Sequence, residues 1–196
     1  MKRTMQTFLI ASVAAGSLVI GGVANTPIAV AGTGCTITGT QSDDQLRGTP
    51  GRDIICGLGG EDSIRGLGGN DVIRGGAGRD HLQGDRGHDV VNGQGGRDLI
   101  RGGQGNDRLK GGALRDRVEG ERGEDTIRGG NGRDRLVGND NDDRIKGGPN
   151  NDFMRGNDGD DRLDARDGSG GDTAQGMAGS DTCLGDVGDT LTGCEP

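Results

Sequence analysis

Between residues 39 and 164 one aliphatic or Met side chain recurs at every ninth position, and small or polar residues crowd the positions between. Fourteen nine-residue units run end to end without insertion, from 39–47 to 156–164, each opening on a glycine. The recurring apolar residue is the eighth of each unit, from Leu46 and Ile55 to Met154 and Leu163. The last three residues read as polar, aliphatic, polar, which predicts a very short strand with one side chain pointing inward. The first six are Gly-rich and read as a tight turn. A unit this small cannot bury its own apolar face, so the periodicity predicts a solenoid. Two units make a coil of 18 residues with two strands facing each other, and seven coils fit in residues 39–164. Stacked at about 4.8 Å, such an array is roughly 30–35 Å long.

Composition on its own points elsewhere. Glycine makes up 45 of 196 residues, hydrophobic residues 28%, and the only aromatics are Phe8 and Phe153. That is the profile of a disordered chain without an ordinary core. A collagen helix is excluded because its glycines recur every third residue. The nine-residue period changes the picture by showing that glycines are placed. Position 1 is Gly in all fourteen units, and position 4 in ten, the exceptions being Ser42, Leu114, Asn141 and Asn150.

Position 6 carries the candidate chemistry. It is Asp in every unit: Asp44, Asp53, Asp62, Asp71, Asp80, Asp89, Asp98, Asp107, Asp116, Asp125, Asp134, Asp143, Asp152 and Asp161. A turn-forming role would tolerate Asn or Ser there, and neither occurs. Glycine turns expose carbonyl oxygens and Asp adds carboxylates, an all-oxygen donor set of the kind calcium takes. Stacking would line these carboxylates up along each edge, where they repel unless a cation lies between them.

The units Gly75-Gly76-Ala77-Gly78-Arg79-Asp80, Gly102-Gly103-Gln104-Gly105-Asn106-Asp107 and Gly129-Gly130-Asn131-Gly132-Arg133-Asp134, each followed by x-Leu-x or x-Ile-x, resemble the GGxGxDxUx nonapeptide of the RTX (haemolysin-type) calcium-binding repeats. The resemblance implies an all-β fold, a parallel β-roll (calcium-bound β-solenoid) of two short-stranded parallel sheets. It implies several Ca2+ ions between turns stacked on the same edge, so that unit i shares an ion with unit i+2. It also implies metal-ligand roles for the fourteen Asp residues above and for Asp172 and Asp181 in the irregular units that follow, with turn carbonyls completing each site. One aliphatic residue per nine is little apolar burial against the entropy of ordering the chain, so the chain is expected to fold only when calcium binds.

The ends divide the chain further. Residues 1–31 carry Lys2 and Arg3, an uncharged apolar stretch and Ala29-Val30-Ala31, and read as a cleaved secretory signal peptide. Residues 32–38 read as an N-terminal cap, 39–164 as the repeat array, and 165–196 as irregular repeats with a C-terminal cap. The irregular part begins with a unit two residues too long, 165–175. All four cysteines lie at the two ends. Of three possible pairings, only Cys35–Cys56 with Cys183–Cys194 avoids bridging the length of the solenoid. A secreted, extracellular chain permits such disulfides, and no stable membrane span is expected once the signal is removed.

Charge narrows the partners. Lys2 and Arg3 are the only charges in residues 1–31, so of 23 basic and 31 acidic residues 21 and 31 remain, a formal −10. Calcium is the expected partner, and specific nucleic acid is not, since the chain is acidic and lacks stacking aromatics. Position 9 of one sheet would read Cys56, Arg74, Asn92, Lys110, Arg128, Lys146, a ladder of cations. The alternative function is therefore adhesion at a cell surface or matrix, with anionic cell-surface polysaccharide bound through Arg/Lys ladders. Position 5 is Arg79, Arg97, Arg115 and Arg133 on one edge. Those arginines either face solvent or weaken calcium binding on that edge through local positive charge. No Ser-His-Asp grouping, HExxH or P-loop stands in the sequence, so the expectation is a protein that is not an enzyme.

Overall fold

A computed structural model describes residues 34–195. The predicted signal peptide lies outside the described residues. Eighteen strands, from Ile37–Thr38 to Thr190–Thr192, form two nine-stranded sheets in which every pairing is parallel. Consecutive strands alternate between the sheets, so each strand pairs with the next but one. This is a β-solenoid of the parallel β-roll type, as expected. No helix of the described residues is long and apolar enough to cross a membrane.

The register follows the repeat. Ile55 stands opposite Ile73, and Ile64 opposite Leu82, each 18 residues on. The offset widens to 20 where residues 165–175 carry two extra residues, pairing Met154 with Ala174 and Leu163 with Cys183. The position-8 side chains stack in two facing columns, and all fourteen are buried. One more inward residue sits at the first coil, Ile37. At the far end Leu191 takes the inward register opposite Ala174 but stays half-exposed, because no further coil covers it.

The strands are longer than the sequence pattern suggests. Most run six residues, as in Ser63–Gly68 and Val72–Ala77, and take in positions 1–3 of the following unit. Only positions 4–6 remain as the turn. The ladder extends because positions 2 and 3 also find register partners 18 residues away, Leu58 with Gly76 and Gly59 with Ala77. Hydrogen bonding to a neighbouring coil is absent from a single unit's sequence, so the pattern of one unit underestimates strand length. Arg144–Lys146 stops after three residues. Pro149 occupies position 3 of the next unit and has no N–H to offer the ladder.

Both end disulfides form. Cys35–Cys56 ties the first coil and Cys183–Cys194 the last, with Cα separations of 6.1 and 5.7 Å.

Candidate metal centre

Each position-6 Asp sits where the turn rejoins the strand, and the structure buries all sixteen predicted ligands. The two carboxylate oxygens do different things. Oδ1 accepts the backbone N–H of the position-6 Asp one coil earlier: Asp44 donates to Asp62 at 2.9 Å, Asp62 to Asp80 at 3.0 Å, Asp80 to Asp98 at 2.9 Å. The other edge repeats this, with Asp71 donating to Asp89 and Asp89 to Asp107, both at 2.8 Å. The two-residue insertion does not break the chain of bonds, since Asp152 still reaches Asp172 at 2.7 Å and Asp161 reaches Asp181 at 2.9 Å.

Oδ2 is the unusual atom. From Asp62 through Asp161, and again at Asp172 and Asp181, it is buried without a hydrogen-bond partner. Fourteen orphaned carboxylate oxygens in one small protein far exceed the few unsatisfied buried polar groups a native fold carries. All but that of Asp172, whose unit opens on Ala165, face the position-1 glycine of their own unit. A methyl group added at Gly57 would collide with Asp62 Oδ2 and with the carbonyl oxygen of Gly75 one coil on, and Gly102 stands in the same relation to Asp107 and Gly120. Position 1 is therefore glycine because a carboxylate oxygen and a carbonyl oxygen converge on the space a side chain would fill. Position 4 is mostly glycine for a different reason, a left-handed backbone such as φ 126° at Gly78.

Electrostatics sharpen the same point. Burial raises Asp107, Asp143 and Asp152 from an ordinary 3.8 to about 8, against the lowering effect of the incoming backbone N–H. Asp62, Asp116 and Asp125 rise to about 7 on the same leading cause. Neighbouring carboxylates on the same edge add to the rise, Asp80 and Asp44 on Asp62, and Asp125 and Asp89 on Asp107. These rows are unfavourable to ionise as they stand.

The donor set fits a hard cation. Buried carboxylate oxygens without partners, with glycine carbonyl oxygens converging beside them, are donors of the kind calcium takes. Among the described residues no group of three or more His, Cys, Asp or Glu side chains gathers around one point. A cation held here would therefore draw heavily on backbone carbonyls, as the glycine turns allow.

The structure separates two of the sixteen from the rest, a distinction sequence reasoning missed. Asp44 Oδ2 accepts Thr40 Oγ1 at 3.0 Å, and Asp53 Oδ2 accepts Thr49 Oγ1 at 2.9 Å. The available signal was Thr at position 2, which only the first two units carry. From Leu58 (φ 82°) onward, position 2 is left-handed even at Asp85, Gln94 and Glu121. Thr40 and Thr49 are not, and their hydroxyls fold back onto the carboxylates.

A family profile described as RTX calcium-binding nonapeptide repeat (4 copies) matches the chain in overlapping segments from 36–64 to 165–191, without a gap between them. No curated protein matches the chain.

Proposed function

The chain belongs to the RTX calcium-binding nonapeptide repeat family, and from that membership we propose a secreted, non-catalytic protein whose array folds outside the cell when it binds several calcium ions. The observation that carries this reading is the set of fourteen buried Oδ2 atoms without partners. Asp62 through Asp161, with Asp172 and Asp181, would hold the ions together with turn carbonyls. Bound calcium would supply the positive charge that lets these carboxylates ionise in place. The chain's own part is to hold each carboxylate by Oδ1 and leave Oδ2 free. Millimolar extracellular calcium suits weak sites of this kind, and the two disulfides suit an oxidising compartment. Asp44 and Asp53 bind no ion in this reading, because Thr40 and Thr49 already satisfy them.

Titration calorimetry tests the assignment by counting ions. The Asp107→Asn chain is expected to bind fewer calcium ions than the parent, and the Thr40→Gly/Thr49→Gly chain at least as many. An unchanged count in Asp107→Asn contradicts the ligand role. A second reading, attachment to an anionic surface polymer, is favoured by cations in register along one sheet, of which Lys146 stands opposite Asp164. Arg74, Lys110, Arg128 and Lys146 are exposed on one sheet, with Asn92 between the first two.

A further inference from the structure

The two edges of the solenoid differ at position 5, just before the metal-binding Asp. On the even-numbered edge, which carries Asn70 and His88, most side chains there serve the backbone, Arg52 being an exception. Asn70 Oδ1 accepts the N–H of His88 at 2.9 Å, His88 Nδ1 accepts that of Asn106 at 2.8 Å, and Asp142 Oδ1 accepts that of Asp160 at 2.8 Å. The odd-numbered edge begins the same way, with Asp43 Oδ1 accepting Glu61 N–H at 2.7 Å. Then four consecutive coils carry Arg79, Arg97, Arg115 and Arg133. A guanidinium accepts no hydrogen bond, so these coils give up the rung. Backbone structure does not ask for arginine here.

The four arginines are exposed, and among the described residues none forms an ion pair with a carboxylate. They line an open groove of ≈ 780 Å³. Arg135, at position 7, extends its positive lining, whereas Arg117 is held by Glu119 at 2.6 Å; Leu99 and Phe153 add apolar surface. Arg135 and Arg155 both lie over the Phe153 ring, at 4.8 and 5.5 Å from its centre, which holds their planes in place. The row is about 14 Å long with a charge at each coil. The only acids lining the groove are Asp98, Asp116 and Asp134, which are buried. A positive groove on a chain of net negative charge is a local feature rather than a by-product of composition.

We infer that this groove docks a linear acidic polysaccharide of the polyuronate kind, its carboxylates along the Arg79–Arg133 row. The inference rests on the surface-attachment reading and moves it from the position-9 ladder to the opposite sheet and its edge. Guanidinium forks match carboxylates, and a polyuronate offers one carboxylate per sugar at regular intervals. Single-stranded nucleic acid would want a series of stacking aromatics, and the described chain has Phe153 alone.

Fluorescence anisotropy with a labelled galacturonate oligomer and the calcium-loaded full chain tests it. The oligomer is expected to bind at low salt and to be released as salt rises. Arg97→Glu/Arg115→Glu should weaken binding by roughly tenfold or more, while Lys110→Glu/Arg128→Glu leaves it unchanged. Matching far-UV circular dichroism of the calcium-loaded variants establishes that they fold. Arg97→Gln/Arg115→Gln, expected to weaken binding in the same direction, replaces the charge reversal if that chain does not fold. Loss of binding in the Lys110/Arg128 variant alone overturns the groove but keeps surface attachment. No binding by the parent chain overturns both. Tighter binding of a single-stranded oligonucleotide overturns the polysaccharide class.

Discussion

Position 6 shows how one side chain divides its labour. From Asp62 onward one carboxylate oxygen closes the ladder to the previous coil, and the other is buried without a partner. That the residue must be Asp was legible, because Asn and Ser never replace it over fourteen units. That position 1 must be Gly was also legible, though its reason, a carboxylate and a carbonyl oxygen occupying the side-chain space, lay in the stacking. The Thr40 and Thr49 caps were signalled only by Thr at position 2, a position that takes residues as different as Leu, Asp, Gln and Met elsewhere. Leu114 is the costly case at position 4. It holds φ 74° with its side chain exposed, and a bulky residue there is strained by about 1–2 kcal/mol, part of which glycine's extra unfolded-state entropy would offset. Leu114→Gly should therefore stabilise the calcium-loaded protein by roughly 0.5–1 kcal/mol, read as a higher urea midpoint. A lower midpoint would mean that the side chain makes a contact worth more than its strain.

At the scale of strands and turns, the sequence pattern placed the inward residue of every strand and the sheet order, because one aliphatic per nine residues admits one way of facing inward. It placed the strand ends wrongly, as the bonds that extend each strand to six residues come from the next coil. The Asp rows are also a property of stacked turns. Burial raises Asp71, Asp98 and Asp161 to about 6 and Asp107, Asp143 and Asp152 to about 8 in the folded chain. Unfolded, they titrate near 3.9. The calcium-free fold thus binds more protons than the unfolded chain between these limits, and its stability falls as pH rises through that window. Without calcium, the chain should hold more β-structure at pH 4.5 than at pH 8. Calcium competes for the same oxygens, so its affinity should weaken as pH drops from 8 towards 6. Calcium-free circular dichroism that shows less structure at pH 4.5 would contradict the burial of these groups.

The whole molecule has a core one aliphatic residue wide in each sheet, bounded by two carboxylate-lined edges and closed at its ends by disulfides. In the proposed reading, a composition that reads as disorder and a fold that reads as a regular solenoid describe the same chain without and with the charge that balances those edges. The central claim is that calcium supplies this balance and so drives folding. Far-UV circular dichroism of the chain at pH 8, titrated with calcium, tests it most directly. A cooperative change from a largely disordered spectrum to a β-rich one, reversed by a chelator, is the expected result. A β-rich spectrum before any calcium is added, unchanged at millimolar calcium, would contradict it.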